Sequence, residues 1–229
     1  MPALKEWLQQ LQFGSVFEMI VIVTSSLLCI TVHETCHGLA AFWMGDDTAK
    51  RQGRLSLNPL RHVDIVGLIM MAIARFGWAK PVPVDMHRFK NQRLGMALTA
   101  IAGPVSNVLL LLVAAVLRLG VVVLYYETDA EVFEYLILFF EYTVILSAGL
   151  AVFNLFPIPP LDGSKVLFAL LPERVYYKLM RYERLGMILL VILLFTNALD
   201  VPLIFMRDLL IDFANMVTMP IVNALQQLI

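Results

Sequence analysis

Residues 16–44 read VFEMIVIVTSSLLCITVHETCHGLAAFWM, an apolar run that carries His33, Glu34 and His37 within five positions. A helix crosses a bilayer with about 20 mainly apolar residues, so the run is long enough to span. Ionisable groups inside such a helix are costly and mark function. Residues i and i+4 share one helix face about a turn apart, so both imidazoles can reach one ion. Neutral imidazole suits Zn²⁺, and Glu34 is placed to take a proton from a bound water without being a ligand. The bland alternative is a helix end reaching water just before Gly45-Asp46-Asp47.

The rest of the chain has the same character. Of 229 residues, 60% are hydrophobic and 15% charged, and the mean hydropathy is +0.80. A soluble domain holds about 45–50% apolar and about 25% charged residues, so a water-soluble globule is excluded. A net charge of −1 and a pI near 6.4 exclude a strongly basic nucleic-acid binder. Two cysteines, Cys29 and Cys36, lie in one apolar stretch and build no disulfide framework. The first 15 residues lack a basic n-region and a small-residue cleavage site, so no removal of a leader is expected.

Four stretches are read as transmembrane helices: 16–44, 94–124, 132–156 and 185–206. A fifth apolar run, 63–76, is short for a span and carries Asp64, which suits a re-entrant hairpin. The tail 209–229 repeats Asp212, Asn215, Asn223 and Gln226 near helical spacing. It reads as an amphipathic interfacial helix ahead of a fifth span. The expected fold is therefore an all-α polytopic membrane protein. It has four transmembrane helices, five if the tail crosses, with a re-entrant hairpin and short β segments. Residues 1–229 form one membrane-embedded domain, free to self-associate as a homo-oligomer.

Charge sets the orientation. Nine of the 17 Lys/Arg fall in residues 46–93 and five more in 157–184, while the connection 125–134 has none. Basic loops stay cytoplasmic, which places the N-terminus outside and the histidine-bearing helix running inward. The site then lies near the cytoplasmic side of a multi-pass protein of the cell membrane.

Two histidines do not fill a zinc site. The stretch Asn154-Leu-Phe-Pro-Ile-Pro-Pro-Leu-Asp162-Gly163 ends the 132–156 helix on the same side as His37, and Asp162 is the best candidate third ligand. An aspartate before a helix is also an ordinary cap, and a polar residue at a helix end is the plain reading of Asn154. Asn107, near Gly103-Pro104 in the 94–124 helix, reads first as packing and otherwise as a residue behind the ligands or on a substrate path. Glu141 reads as structural, His62 and His87 as solvent-facing loop residues, and Cys36 as packing off the histidine face.

The histidine motif, Ala102-Gly103-Pro104 and Asn154…Pro157…Leu161-Asp162-Gly163 together resemble the site-2 protease family of intramembrane zinc metalloproteases, from about residue 20 to about 195. Gly53-Arg-Leu-Ser-Leu-Asn-Pro59 and Gly77-Trp-Ala-Lys-Pro-Val-Pro-Val84 are similar to its small bacterial branch, which lacks a PDZ domain. The resemblance implies that His33, His37 and Asp162 bind one Zn²⁺ per chain and that Glu34 is the general base. It also implies that Asn154 bonds near the metal and helps hold the tetrahedral intermediate. Where the family pattern has Asp-Pro after His62-Val63, this chain reads Asp64-Ile65, and no full helix is expected before the histidine-bearing one.

The function expected is cleavage of peptide bonds within or near the transmembrane segments of membrane-anchored proteins, in contact with the lipid bilayer. Arg54-Leu-Ser-Leu and Lys80-Pro-Val-Pro-Val84 read as extended edge segments to which an unwound substrate could add as a strand, or as a hairpin that only covers the site. Two rival readings belong to other classes. A metal transporter wants ligands strung through the membrane thickness, whereas these cluster at one depth. A catalytically inactive binder of transmembrane helices would tolerate loss of Glu34, which is present.

Overall fold

The computed structural model describes residues 16–64, 67 and 79–226. Three long helices make its frame: α1 (Val16–Trp43), then, after the four-residue turn of helix α2 (Thr48–Arg51), α3 (Gln92–Thr128) and α4 (Val132–Leu155). Each is long and apolar enough to cross a membrane. Four further helices follow: α5 (Asp162–Ala169), α6 (Glu173–Arg181), α7 (Glu183–Phe195) and α8 (Asp200–Gln226). The re-entrant hairpin expected over 63–76 lies almost wholly outside the described residues. So do the first 15 residues.

Small side chains let the long helices approach closely, as they do where lipid provides no hydrophobic drive for association. Ser25 Oγ donates to Phe139 O at 3.0 Å, and Cys29 Sγ lies 3.2 Å from Ser147 Oγ, which stitches α1 to α4. Ala114 and Ala115 of α3, Ala148 of α4 and Ala214 of α8 form a buried cluster with Leu111 and Val144. Large apolar side chains point outward instead, among them Leu109, Val113, Phe205, Leu209 and Met216. That inversion of the soluble pattern is the surface a lipid solvent requires.

The expected fourth span, 185–206, is not one straight helix. It breaks between Phe195 and Asp200, and α7 and α8 meet at 87°, passing together as a fourth candidate span. The cause is local. Asn197 takes a left-handed φ of 55°, Ala198 N–H donates to Leu193 O and Asn197 N–H to Leu194 O. This is a Schellman stop with asparagine in the usual glycine place. Asp200 and Pro202 then suit the first turn of α8. The tail is likewise no separate interfacial helix. Up to Gln226 it continues α8, whose Ala214 is fully buried against α3 and α4.

The loop between α1 and α3 is tied down by buried polar groups rather than by a sheet. Asp46, fully buried, accepts from Thr48 N–H at 2.9 Å and Asp85 N–H at 2.7 Å. Arg54 Nη2 donates to Lys80 O at 2.6 Å. His62 is buried, not solvent-facing, with Nε2 2.8 Å from Ser56 O, and Thr35 on the back of α1 donates to the same carbonyl at 3.0 Å. The short β segments do not form among the described residues. One isolated antiparallel bridge, Val63 to Ala79, stands in their place.

Candidate active site

His33 and His37 leave α1 on one face, and Asp162 arrives from the first turn of α5. His33 Nε2 lies 3.0 Å from His37 Nε2, and Asp162 Oδ2 lies 3.3 Å and 3.1 Å from the two. All three residues are buried. Bonds of about 2.0–2.2 Å to a tetrahedral Zn²⁺ separate neighbouring ligand atoms by roughly 3.3 Å, close to this triangle. Three lone-pair-bearing atoms facing one another repel unless a proton or cation sits among them, so the donor set suits the ion. Lys165 Nζ lies 3.8 Å from Asp162 Oδ1 and adds a positive charge beside the cluster.

Two glycines make the convergence possible. A Cβ on Gly103 would sit 2.4 Å from His37 Nε2 and 2.6 Å from His33 Cε1, so only glycine lets α3 pass directly against both rings. A Cβ on Gly163 would sit 2.1 Å from Leu155 O, so only glycine lets α5 start hard against the end of α4. Phe156 precedes Pro157 and is pushed out of helical backbone, which ends α4 there and turns the chain back toward α1. His37 Nδ1 lies 2.7 Å from Thr99 O. A carbonyl only accepts, so Nδ1 carries the proton and Nε2 keeps its lone pair for a metal.

A cavity of about 370 Å³ opens on this cluster, lined by His33, Glu34, His37, Asn154 and Asp162 on its polar side. Glu34 Oε2 accepts from Val82 N–H at 2.8 Å. Asn154 Nδ2 donates to Leu150 O at 3.0 Å, one turn back on its own helix. Sequence reasoning did not single out Lys165, Glu183, Met96 or Val82, which also line the cavity. Lys165 had a signal, since it stands three residues after Asp162 on one helix face. Val82 had one too: Pro81 and Pro83 have no N–H, so Val82 is the sole backbone donor of the three.

The other marked residues fall elsewhere. His62 sits behind α1, His87 is exposed beside Gln92, and Glu141 is exposed on α4. Cys29 and Cys36 are both free. Asn107 departs from the packing reading, because it is fully buried with Nδ2 3.2 Å from His33 Nδ1.

Apolar helices that cross a membrane and a buried His-Glu-X-X-His face completed by an aspartate define a membrane metallopeptidase of the site-2 protease class. Residues 116–197, which include Asn154 and Asp162, match the model of Peptidase family M50. The chain is 40% identical over 178 residues to "Putative zinc metalloprotease YwhC" of Bacillus subtilis (strain 168), covering 78% of this chain and 81% of that protein. It is 30% identical over 199 residues to "Putative zinc metalloprotease Rip2" of Mycolicibacterium smegmatis, covering 84% and 73%. The Rip2 protein of Mycobacterium tuberculosis (strain H37Rv) is 27% identical over 199 residues, covering 85% and 73%. No solved structure matches. The chain belongs to Peptidase family M50.

Proposed function

We propose that this chain is an intramembrane zinc endopeptidase that hydrolyses peptide bonds within or near the transmembrane segments of membrane-anchored proteins. The observation that carries the reading is the depth of the ligand triangle. His33 stands ten residues before the end of α1, about 15 Å along the helix, and Gly103 stands eleven residues into α3, about 16 Å. Peptide hydrolysis needs water and an exposed backbone, and a transmembrane helix in lipid offers neither. The cavity answers the first need, because Glu34, Asn154, Lys165 and Glu183 give water a polar wall. Pro81, Val82, Val84, Met96 and Ala100 also line it and offer contact to apolar side chains of a membrane segment.

One zinc ion per chain, held by His33, His37 and Asp162, supplies the Lewis acidity that polarises a scissile carbonyl and acidifies water. Glu34 takes the proton from the attacking water and passes it to the leaving amine. Its Oε2 is held by Val82 N–H, which leaves the second oxygen for that exchange. Asn154 spends one Nδ2 hydrogen on Leu150 O and keeps the other for the carbonyl oxygen as that oxygen gains charge. The charge distribution supports an active site near the cytoplasmic side.

Strand addition to residues 80–84 is not favoured as the means of holding substrate. The Val82 donor is engaged by Glu34 and the Lys80 carbonyl by Arg54. A transport reading finds no series of sites: among the described residues the one group of three such ligands is His33, His37 and Asp162. The test is reconstitution of the purified chain in vesicles with a panel of single-span helices. Cleavage inside or beside a span, lost on zinc chelation and restored by zinc, is expected. Cleavage indifferent to chelation, or none from any span, would refute the reading.

A further inference from the structure

The two metal-facing histidines are oriented by different means, and only one of them is exposed to side-chain substitution. His37 donates from Nδ1 to a backbone carbonyl, Thr99 O. His33 Nδ1 instead faces the side chain of Asn107, at 3.2 Å, across from α1 to α3. Asn107 is fully buried, and its Oδ1 has no hydrogen-bond partner. Both observations bear on one question, which end of the amide faces the ring.

If Nδ2 faces Nδ1, the amide donates and His33 carries its proton on Nε2, the atom pointed at His37 and Asp162. If Oδ1 faces Nδ1, the amide accepts, the proton sits on Nδ1 and Nε2 is left with its lone pair. The oxygen and nitrogen of an amide are distinguished by the network around them, not by shape. The second orientation moves the contact from the amide nitrogen to the oxygen, and what favours it is that it matches the tautomer already fixed for His37. It is also the one that lets Nε2 ligate a cation.

We infer that Asn107 is a positioning residue for the metal site: its Oδ1 accepts from His33 Nδ1–H and holds His33 Nε2 as a ligand. The inference rests on the proposed zinc site and adds to it a residue that touches neither metal nor substrate. Orienting partners of ligating histidines typically carry 10–100-fold in metal affinity. The Gly103-Pro104 stretch thus serves the site twice, since Gly103 clears space for both rings and Asn107, one turn on, fixes one of them.

The experiment measures zinc affinity by chelator competition, and the Co²⁺ absorption spectrum, for the intact chain in detergent. Asn107→Leu, of similar size but without an acceptor, is expected to bind zinc 10–100-fold more weakly and to alter the cobalt bands. Its metal-free thermal unfolding should stay near that of the unsubstituted protein, while the extra stability that zinc confers shrinks. Asn107→Asp keeps an acceptor and is expected to hold zinc within about threefold of the original affinity. Wild-type zinc affinity and an unchanged cobalt spectrum in Asn107→Leu would overturn the inference. Should that variant not fold, a tenfold loss in Asn107→Asp would do the same. An unsubstituted chain that binds no zinc would instead defeat the zinc-site reading itself.

Discussion

At the scale of single residues, the site depends as much on missing atoms as on present ones. Gly103 has no side chain where a methyl would overlap both imidazoles. Gly103→Ala is therefore expected to lose at least tenfold in zinc affinity with the helical content intact, measured by metal content after dialysis and by circular dichroism. Pro81 and Pro83 have no N–H, so the Val82 N–H is left as the donor to Glu34. Val82→Pro removes that bond to a charged acceptor, which contributes about 1.5–3 kcal/mol, and should lower kcat by about 10- to 100-fold with zinc retained. Val82→Ala keeps the N–H and should retain most of the activity; equal losses in the two variants would deny the backbone bond its role. His33, Glu34 and His37 were legible as a group from helical period, whereas Asp162 was by its depth only a candidate beside an ordinary cap, and the family resemblance implied its role. Asn107 was legible only as an alternative to packing and Val82 only as a donor between two prolines, since the partner of each is set by the packing of α1 against α3 and the loop.

Among the elements, the three long helices are legible because apolar length alone marks a span. The error fell on 185–206, where composition gives one continuous run and geometry gives two helices at 87°. Hydropathy does not see the stop at Asn197, whose effect comes from a left-handed φ and two backbone bonds. Asn197→Val should destabilise the chain by about 1–2 kcal/mol, because a β-branched residue resists that conformation. Thermal unfolding in detergent checks it, and an unchanged midpoint would remove Asn197 as the cause of the break. The bend also corrects the reading of the tail. Asp212 and Asn215 suggested an interfacial helix, yet Ala214 between them is the residue packed into the α3–α4 seam. A polar period on one face and a small residue on the other is a pattern that an interfacial helix and a packed helix share.

For the whole molecule, lipid as solvent organises everything else. Small residues line the helix contacts, large apolar ones face outward, and three of the buried polar groups, His33, His37 and Asp162, meet in one cluster. The proposed sidedness has its own check. A cysteine placed at Ala130, in the turn between α3 and α4, should react with an impermeant thiol reagent in intact cells. One placed at Lys50 should react only after the membrane is opened, and the reverse pattern would invert the orientation. The central claim, that this buried cluster is a proteolytic zinc centre with Glu34 as its base, is tested most directly by Glu34→Gln. Zinc content and cleavage of a reconstituted single-span substrate are measured side by side with the unsubstituted chain. The expected result is about one zinc per chain in both proteins, with cleavage in the unsubstituted chain and none in the variant. Cleavage by Glu34→Gln at the unsubstituted rate would contradict it.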